Sequence, residues 1–423
     1  MQVFKFGGAS VKDAQGVKNL CHIISLNRDQ QLIIVVSAMG KMTNALELLT
    51  NAYFHNANNL HQLFDDIKQF HNQILIELFG SENHPVFDEI ANTLVEIEWM
   101  LEDEPHPDYD FNYDQIVSIG ELLSSRIVNA YLNSQNLKSK FLDARAYIQT
   151  DNTYREGIID WQKTCDAIKN DLPPMLTENY LVTQGFIGGT SENYTTTLGR
   201  EGSDYTAAIF ASCLEADSVT IWKDVPGVLN ADPKLYSNTI KYSELPYTEA
   251  LEMTFYGATV IHPKTIKPLK NLNIPLFVKP FLYPDESGTV IKENATVCTD
   301  HPAIIVKQHQ VLVSFFTKNF SFITEDHLSG IFKVFANVNI KINMMQNSAL
   351  SFSVCFDWDE ARFNLLRKSL DDDFKIKFNQ NLQLITVRHH NKEILASLSA
   401  GKIILLEQLS RNTAQLVLKE IEL

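Results

Sequence analysis

The alternation of apolar and polar positions changes period along the chain, and each change predicts a different kind of element. Residues 3–6 (VFKF) and 32–36 (LIIVV) are short apolar runs bounded by polar or glycine residues, with a helical pattern from 12 to 26 between them. That order predicts a βαβ opening and hence a parallel sheet. From 44 to 101 the period becomes helical: Leu63, Ile67, Phe70 and Ile74, then Phe87, Ile90, Leu94, Ile97 and Leu101, recur three or four residues apart. Such stripes predict a packed helical layer inserted between strands. Glu104-Pro105-His106-Pro107-Asp108 is a loop, after which Ile116-Val117-Ser118, read as a strand, and a helix from Glu121 resume the α/β pattern. Further strands fit 141–143, 180–183, 219–222 and 275–279. Turn formers crowd 283–289 (YPDESGT) and predict a domain boundary near 295.

Beyond that boundary the texture changes. A strand is expected at 310–316, a helix at 325–336 and a strand at 340–345. Leu350, Phe352, Val354 and Phe356 alternate with Ser351, Ser353 and Cys355, the signature of a half-buried strand. A second unit follows, with strands at 382–387, 403–406 and 414–419 and a short helix at 393–398. Two small α+β sandwiches fit this region.

Composition narrows the class. A chain of 423 residues, 45% of them hydrophobic, is too long for one core and predicts two or three domains. Its 36 basic and 51 acidic residues leave a charge of −15, and no stripe of Lys or Arg follows a phosphate backbone, which argues against nucleic acid as a partner. Cys21, Cys165, Cys213, Cys298 and Cys355 are odd in number, widely spaced and without a C-x-x-C pair. They read as reduced core thiols of a cytosolic protein, implying neither disulfides nor a zinc site. The N-terminus runs straight into a Gly-Gly turn, unlike a signal peptide, and no apolar run approaches the ~20 residues that span a bilayer.

The chemistry collects where strands end. Lys5-Phe6-Gly7-Gly8-Ala9-Ser10 places a lysine on a strand and two glycines in the turn that follows. Glycines let backbone N–H groups approach an anion, and an ammonium alongside neutralises charge on a transferring phosphoryl group. The G-x-x-x-x-G-K-[ST] spacing of a Walker loop is absent. The next strand ends in Ser37, Thr43 and Asn44, which either cap the following helix or contact a ligand. Glu121 stands at a helix start, where it favours the helix dipole or meets a ligand. Between 183 and 208, Gly-rich segments surround Phe186, Arg200 and Asp204. An arginine there can hold a carboxylate bidentately and the aspartate can position lysines, or the two form an ion pair. Lys223-Asp224-Val225-Pro226-Gly227 and Asp232-Pro233-Lys234 make another polar loop, suited to a nucleotide.

Taken in order, Lys-Phe-Gly-Gly, Ser-x-x-x-x-x-Thr-Asn, Gly-Glu, Gly-Arg-x-Gly-Ser-Asp-Tyr-Thr-Ala, Asp-Val-Pro-Gly, Asp-Pro and Gly-Ala-x-Val-Ile-His-Pro closely resemble the aspartate kinases of the amino-acid-kinase family. The resemblance covers essentially the whole chain. It implies a three-layer α/β/α catalytic domain over 1–295, with a mainly parallel sheet and a helical insertion at 44–104. Two ACT-like (ferredoxin-like) regulatory domains are implied over 300–423. It implies transfer of the γ-phosphoryl group of Mg-ATP to the β-carboxylate of L-aspartate, the first step towards lysine, threonine and methionine, in a cytoplasmic and monofunctional enzyme, since no homoserine dehydrogenase domain follows residue 423.

Residue by residue, Lys5 matches the phosphate-bridging lysine and Asp204 the organiser of the phosphate-binding groups. Ser37, Thr43, Glu121, Phe186 and Arg200 match aspartate-binding positions, with Glu121 facing the α-amino group and Arg200 a carboxylate. Gly7, Gly8, Ser10, Lys223, Asp224, Asp232 and Lys234 match the nucleotide site; no metal-ligating side chain is implied. Two departures stand out: Ala9 replaces a commoner threonine, and Thr259 stands where many relatives carry a second phosphate-contacting lysine, whose place Lys279, Lys264 or Lys223 would take. His262, beside Pro263, reads as structural. In the tail, Asn343, Met344, Asn347 and Ser348 resemble an effector-binding strand and turn, for lysine or threonine, and a homodimer or higher oligomer joined after about residue 300 is implied. Rival readings are a kinase of glutamate or acetylglutamate and a catalytically silent amino-acid sensor.

Overall fold

In a computed structural model the chain is described over residues 1–80, 83–258, 261–319 and 321–421. It divides into two units, one of residues 1–228, 241–251 and 260–297, the other of 229–240, 252–259 and 298–423. Thr259 lies outside the described residues.

The first unit opens with β1 (Gln2–Phe6), α1 (Ala14–Ser25) and β2 (Leu32–Val36), the expected βαβ. Asp13 caps α1 through a bond from the Gly16 amide, and β2 is buried along its whole length, as a strand covered on both faces must be. The helical insertion is α2 (Met42–Phe54), α3 (Leu60–Phe79) and α4 (Val86–Glu102). The α3 stripe keeps the predicted Ile67 and Ile74, but Phe64 and His71 are buried in place of Leu63 and Phe70, which are half-buried; Leu75 is buried as well.

Residues 116–118 correct the sequence reading. They are not a strand: α5 (Tyr109–Val117) runs into α6 (Ile119–Ser134), broken only at Ser118. Two adjacent apolar residues carry no period of their own, and the Asp108 side chain, accepting from the Asp110 amide, caps a helix upstream of them.

The chain continues through β3 (Ser139–Leu142), α7 (Ala144–Tyr147), β4 (Gln149–Thr150), α8 (Trp161–Leu176), β5 (Tyr180–Gln184), β6 (Ile187–Thr190), β7 (Thr195–Thr197), α9 (Gly202–Cys213) and β8 (Ser218–Lys223). Then come β9 (Glu244–Pro246), α10 (Tyr247–Tyr256), α11 (Pro263–Asn271), β10 (Leu276–Pro280) and β11 (Thr289–Lys292). The main sheet has the order β3-β5-β2-β1-β8-β10-β11-β9, parallel except between β10 and β11. The chain leaves β1 to one side through β2 and returns to its other side at β8, so β1 lies at the reversal of strand order where open α/β sheets bind ligands. A small second sheet, β4-β6-β7, is formed from residues the sequence reading left without strands.

Cys165 of α8 and Cys213 of α9 form a disulfide, with Cα atoms 4.9 Å apart, contrary to the expectation of five reduced thiols. A separation of 48 residues carries no distance information; the packing of α8 on α9 does. Cys21, Cys298 and Cys355 are free.

The second unit contains β12 (Ala303–Thr317), α12 (Glu325–Asn337), β13 (Ile342–Asn347), β14 (Ser351–Asp357), α13 (Glu360–Leu370), β15 (Phe374–Arg388), α14 (Lys392–Ser399), β16 (Lys402–Leu409) and β17 (Thr413–Glu420). The two expected α+β repeats are joined in one antiparallel sheet, β13-β14-β12-β15-β17-β16. Fifteen-residue strands β12 and β15 run through both halves and change register between Lys307 and Leu312. Phe315, Phe352, Val354 and Phe356 pack with Ile331 and Phe335 of α12 on one face. Cys355, on the alternate positions, is buried on the other face with Leu312, Met344 and Leu384.

Candidate active site

Register decides where the polar turns meet. Lys5 is aligned with Val35 of β2 and Ile221 of β8, and Val36 with Gln184 of β5. The turns after β1, β2, β5 and β8 therefore emerge at one edge of the sheet. The first two lock together: the Gly40 amide donates to the Gly8 carbonyl at 2.9 Å, and a Cβ on Gly8 would stand 2.6 Å from the Ala38 oxygen. Only glycine fits there.

Lys5, though buried, reaches Asp204 in the first turn of α9, Nζ to Oδ1 2.6 Å, and Lys223 at the end of β8 reaches the other oxygen at 3.3 Å. Burial alone would raise the Asp204 carboxyl; the two ammoniums override it and hold it down, at about 2. The carboxylate thus fixes two lysines, one from each of two adjacent strands, beside the Gly7-Gly8 turn.

Against this cluster opens a cavity of about 680 Å³. Lys5, Gly8, Ser37, Thr43, Glu121, Phe186 and Arg200, scattered over nearly 200 positions of sequence, all line it. The alternative for Thr43 and Asn44 is settled against capping: the N-cap of α2 is Lys41, no side chain caps it, and both residues face the cavity. Glu121 is buried in the first turn of α6; Oε1 accepts from the Ala38 amide at 3.3 Å, and Oε2 has no hydrogen-bond partner among the described residues. Burial pushes its carboxyl up to about 8, against the smaller opposing effects of the Ala38 amide and Lys5. Phe186 holds φ at +72°, a conformation costly for a side-chain-bearing residue, with its amide bonded to Thr206 Oγ1 at 3.0 Å.

The remaining nucleotide candidates are distributed differently. Gly7 adjoins Lys5 Nζ, which would lie 3.6 Å from a Cβ at that position. Ser10 is buried and its hydroxyl donates to the Trp222 carbonyl at 3.2 Å, tying the first turn to β8. Asp224 is exposed just beyond β8. Asp232 and Lys234 belong to the second unit, where Asp232 Oδ1 accepts from the Lys234 amide in a local turn; neither lines the cavity. Of the three lysines that could stand in for one at position 259, Lys223 joins the Asp204 cluster and Lys264 donates to the Leu198 carbonyl at 3.4 Å, near the cavity rim. The third, Lys279, lies over Trp222 and lines a different hollow. His262 caps α11, accepting from the Lys264 amide at 3.2 Å.

Sequence reasoning missed Arg155, Tyr113 and Glu47, which also line the cavity. Arg155 stacks on the Tyr113 ring at 4.2 Å and lies 3.7 Å from Glu47 and 3.5 Å from Asp110. Its amide donates to buried Asp114, which also accepts from Thr197. These residues come from two helices and a loop without a shared motif, so only packing relates them.

In the second unit, Asn343 of β13 is held on both ends of its amide. Lys307 Nζ donates to Oδ1 at 2.8 Å, while Nδ2 donates to Gln310 and, at 3.3 Å, to Asp357. Met344 is buried, Asn347 is exposed, and Ser348 closes the β13–β14 turn through Ser351.

Residues 1–280 match the model of the amino acid kinase family. Lysine-sensitive aspartokinase 3 of Escherichia coli is 30% identical over 361 residues, covering 84% of this chain and 78% of that protein. Chloroplastic aspartokinase 1 of Arabidopsis thaliana is 31% identical, and the match covers 84% of this chain but 63% of the plant protein. The structure of E. coli aspartokinase III with aspartate and ADP superposes with a TM-score of 0.83 at 25% identity, covering 99% of this chain and 96% of that one. The same enzyme with lysine and aspartate gives 0.82 at 27% identity, covering 99% and 95%. With its motifs gathered around one cavity and these relatives spanning most of its length, the chain belongs to the amino acid kinase family, among the aspartokinases.

Proposed function

We propose that the chain transfers the γ-phosphoryl group of ATP to the β-carboxylate of L-aspartate, giving 4-phospho-L-aspartate and ADP. The observation that carries this reading is the meeting, in one cavity, of Arg200 and a Glu121 oxygen without a hydrogen-bond partner among the described residues, beside the Lys5–Asp204–Lys223 cluster. Arg200 receives a carboxylate, Glu121 the α-ammonium, and Ser37, Thr43 and Phe186 complete the aspartate pocket. The acceptor carboxylate is already ionised near neutral pH, so no general base is needed. Catalysis rests on positioning and on charge stabilisation: Lys5 and the Gly7-Gly8 amides meet the charge that moves onto the bridging oxygen and leaving phosphate. Ser10, Lys223, Asp224, Asp232 and Lys234 are assigned to the nucleotide.

Mg²⁺ is bound in kinases through one or two carboxylates together with substrate phosphates. Besides Glu121 and the Lys223-paired Glu201, the cavity wall carries the carboxylates of Glu47 and Glu156, and no cluster of three ligating side chains occurs among the described residues. That donor set fits an ion held mainly by the nucleotide's own oxygens, to whose phosphates it supplies additional positive charge.

Residues 1–295 are assigned to catalysis, with 44–104 as the helical insertion, and 300–423 to a tandem ACT-like regulatory region that joins two copies into a homodimer. Asn343, Met344, Asn347 and Ser348 are assigned to an amino-acid effector, lysine or threonine. Because Lys307 already donates to the Asn343 oxygen, an incoming lysine ammonium has to compete with it or share the oxygen against like-charge repulsion. No described helix is long and apolar enough to cross a membrane, and we place the enzyme in the cytoplasm. ADP release measured with aspartate, with glutamate and without acceptor tests the function. Aspartate alone should support turnover, and Lys5→Ala should lower kcat about 10²–10³-fold. Equal rates with glutamate, or near-normal turnover by the mutant, would reject the reading.

A further inference from the structure

Glu201 stands beside the phosphate-binding cluster in a conformation that its side chain disfavours. It is the N-cap of α9 at φ +57°, where glycine would be unstrained, yet its side chain makes no cap bond. Its carboxylate instead lies at the cavity wall, Oε2 3.7 Å from Lys223 Nζ, with only 27% of the side chain exposed. The groups facing it are Lys223 from β8, Lys5 from β1 and Asp204 from its own helix. With both carboxylates ionised, two ammoniums are balanced by two carboxylates. Without Glu201 the cluster would carry a net positive charge towards an arriving phosphate chain.

We propose that Glu201 is a positioning residue for Lys223: it holds the ammonium against Asp204 while the site lacks nucleotide, and the phosphate chain of ATP must displace it. The inference rests on the kinase reading of this cavity. ATP therefore binds in competition with a carboxylate built into the chain. When Lys223 turns to the phosphates, Glu201 keeps its charge at a cost or takes up one proton from the buffer. Burial, and secondarily Asp204, raise the Glu201 carboxyl against the opposing pull of Lys223 and Lys5, so this titration lies above the ordinary carboxylate range. Protonated Glu201 does not compete. Nucleotide affinity should thus fall as pH rises through that titration.

Calorimetric binding of Mg-ATP without aspartate to wild type, Glu201→Gln and Glu201→Gly, over a pH series, tests this. Both variants should bind about three- to tenfold tighter than wild type near neutral pH, the size of one partly screened charge interaction. Both should also lose the pH dependence, and the number of protons taken up, read from buffers of different ionisation heat, should fall. In steady state the KM for ATP should drop while that for aspartate moves less than twofold. Glu201→Gly relieves the backbone and serves as the folding control. Unchanged affinity in both variants, with only Tm altered, would mean a purely structural cap and overturn the proposal. Weaker binding with a raised Mg²⁺ requirement would make Glu201 a metal ligand and overturn it equally. A wild type that binds no ATP would overturn the nucleotide site and this inference with it, whereas wild-type binding with variants no tighter overturns the inference alone.

Discussion

A carboxyl buried as completely as that of Glu121 is pushed up to about 8, and its Oε2 finds no hydrogen-bond partner among the described residues. Such a group is costly until a cation arrives, which is what the proposed α-ammonium supplies. The linkage follows from the proton balance. Between the ordinary carboxylate value near 4.5 and about 8 the folded chain keeps a proton that the unfolded chain releases, so stability falls as pH rises through that window. Glutamine does not titrate. Glu121→Gln should therefore gain Tm over wild type, by more at pH 8 than at pH 5, while the KM for aspartate rises about tenfold or more through loss of a charged hydrogen bond. Thermal melts and kinetics on the same preparations check both; a Tm difference independent of pH would remove the buried acid from the account. Lys5, Gly8, Glu121 and Arg200 were legible in the sequence because each stands beside glycines or small residues where a strand or helix begins or ends. Arg155 and Tyr113 were not, since nothing local marks them and only the register of the sheet and the packing of α2 on α5 bring them to the same cavity.

At the scale of elements, periodicity placed the helices well, and the short apolar runs were read correctly at β1, β2, β5 and β8 but misread at 116–118. The stripe in α3 was readable because a long helix repeats its period several times, yet two of its four positions fall one residue early, Leu63 for Phe64 and Phe70 for His71. His71 is fully buried: Nδ1 donates to the Ile67 carbonyl at 2.8 Å and Nε2 has no partner among the described residues. Burial lowers its pKa to about 4, against the modest opposing effect of that carbonyl. Here the unfolded chain takes up the proton first, so stability is lost as pH falls from about 6.5 towards 4, by up to roughly 3 kcal/mol. His71→Phe keeps a flat apolar ring and should flatten that acid limb in urea titrations at pH 7, 6 and 5. An unchanged slope of stability against pH would assign the acid sensitivity to other groups. Residues 116–118 show the converse weakness: two apolar residues next to each other fit a strand or a helix equally, and the Asp108 cap upstream decided the matter.

For the whole molecule, the regulatory assignment makes the sharpest demand. An inhibitor acts only if it binds one arrangement better than another, and couplings of this kind usually amount to about 5- to 150-fold. Lysine and threonine titrated separately should reveal one amino acid that lowers the rate at millimolar concentration, with Asn347→Ala shifting its dose–response about tenfold. If neither changes rate or Tm, the effector assignment falls. Lys307→Ala, which frees the Asn343 oxygen, should strengthen lysine in particular. The sequence by itself determined most strands of the main sheet, the long helices, the strand-end glycines and the polar residues beside them, because these depend on local period and on the conformational freedom of single residues. Only the tertiary structure decided that β12 and β15 run through both halves of one sheet, that Cys165 meets Cys213, and that Glu201 faces Lys223. Strand register and helix packing set these distances, and residues 22 or 48 positions apart carry no trace of them in the chain.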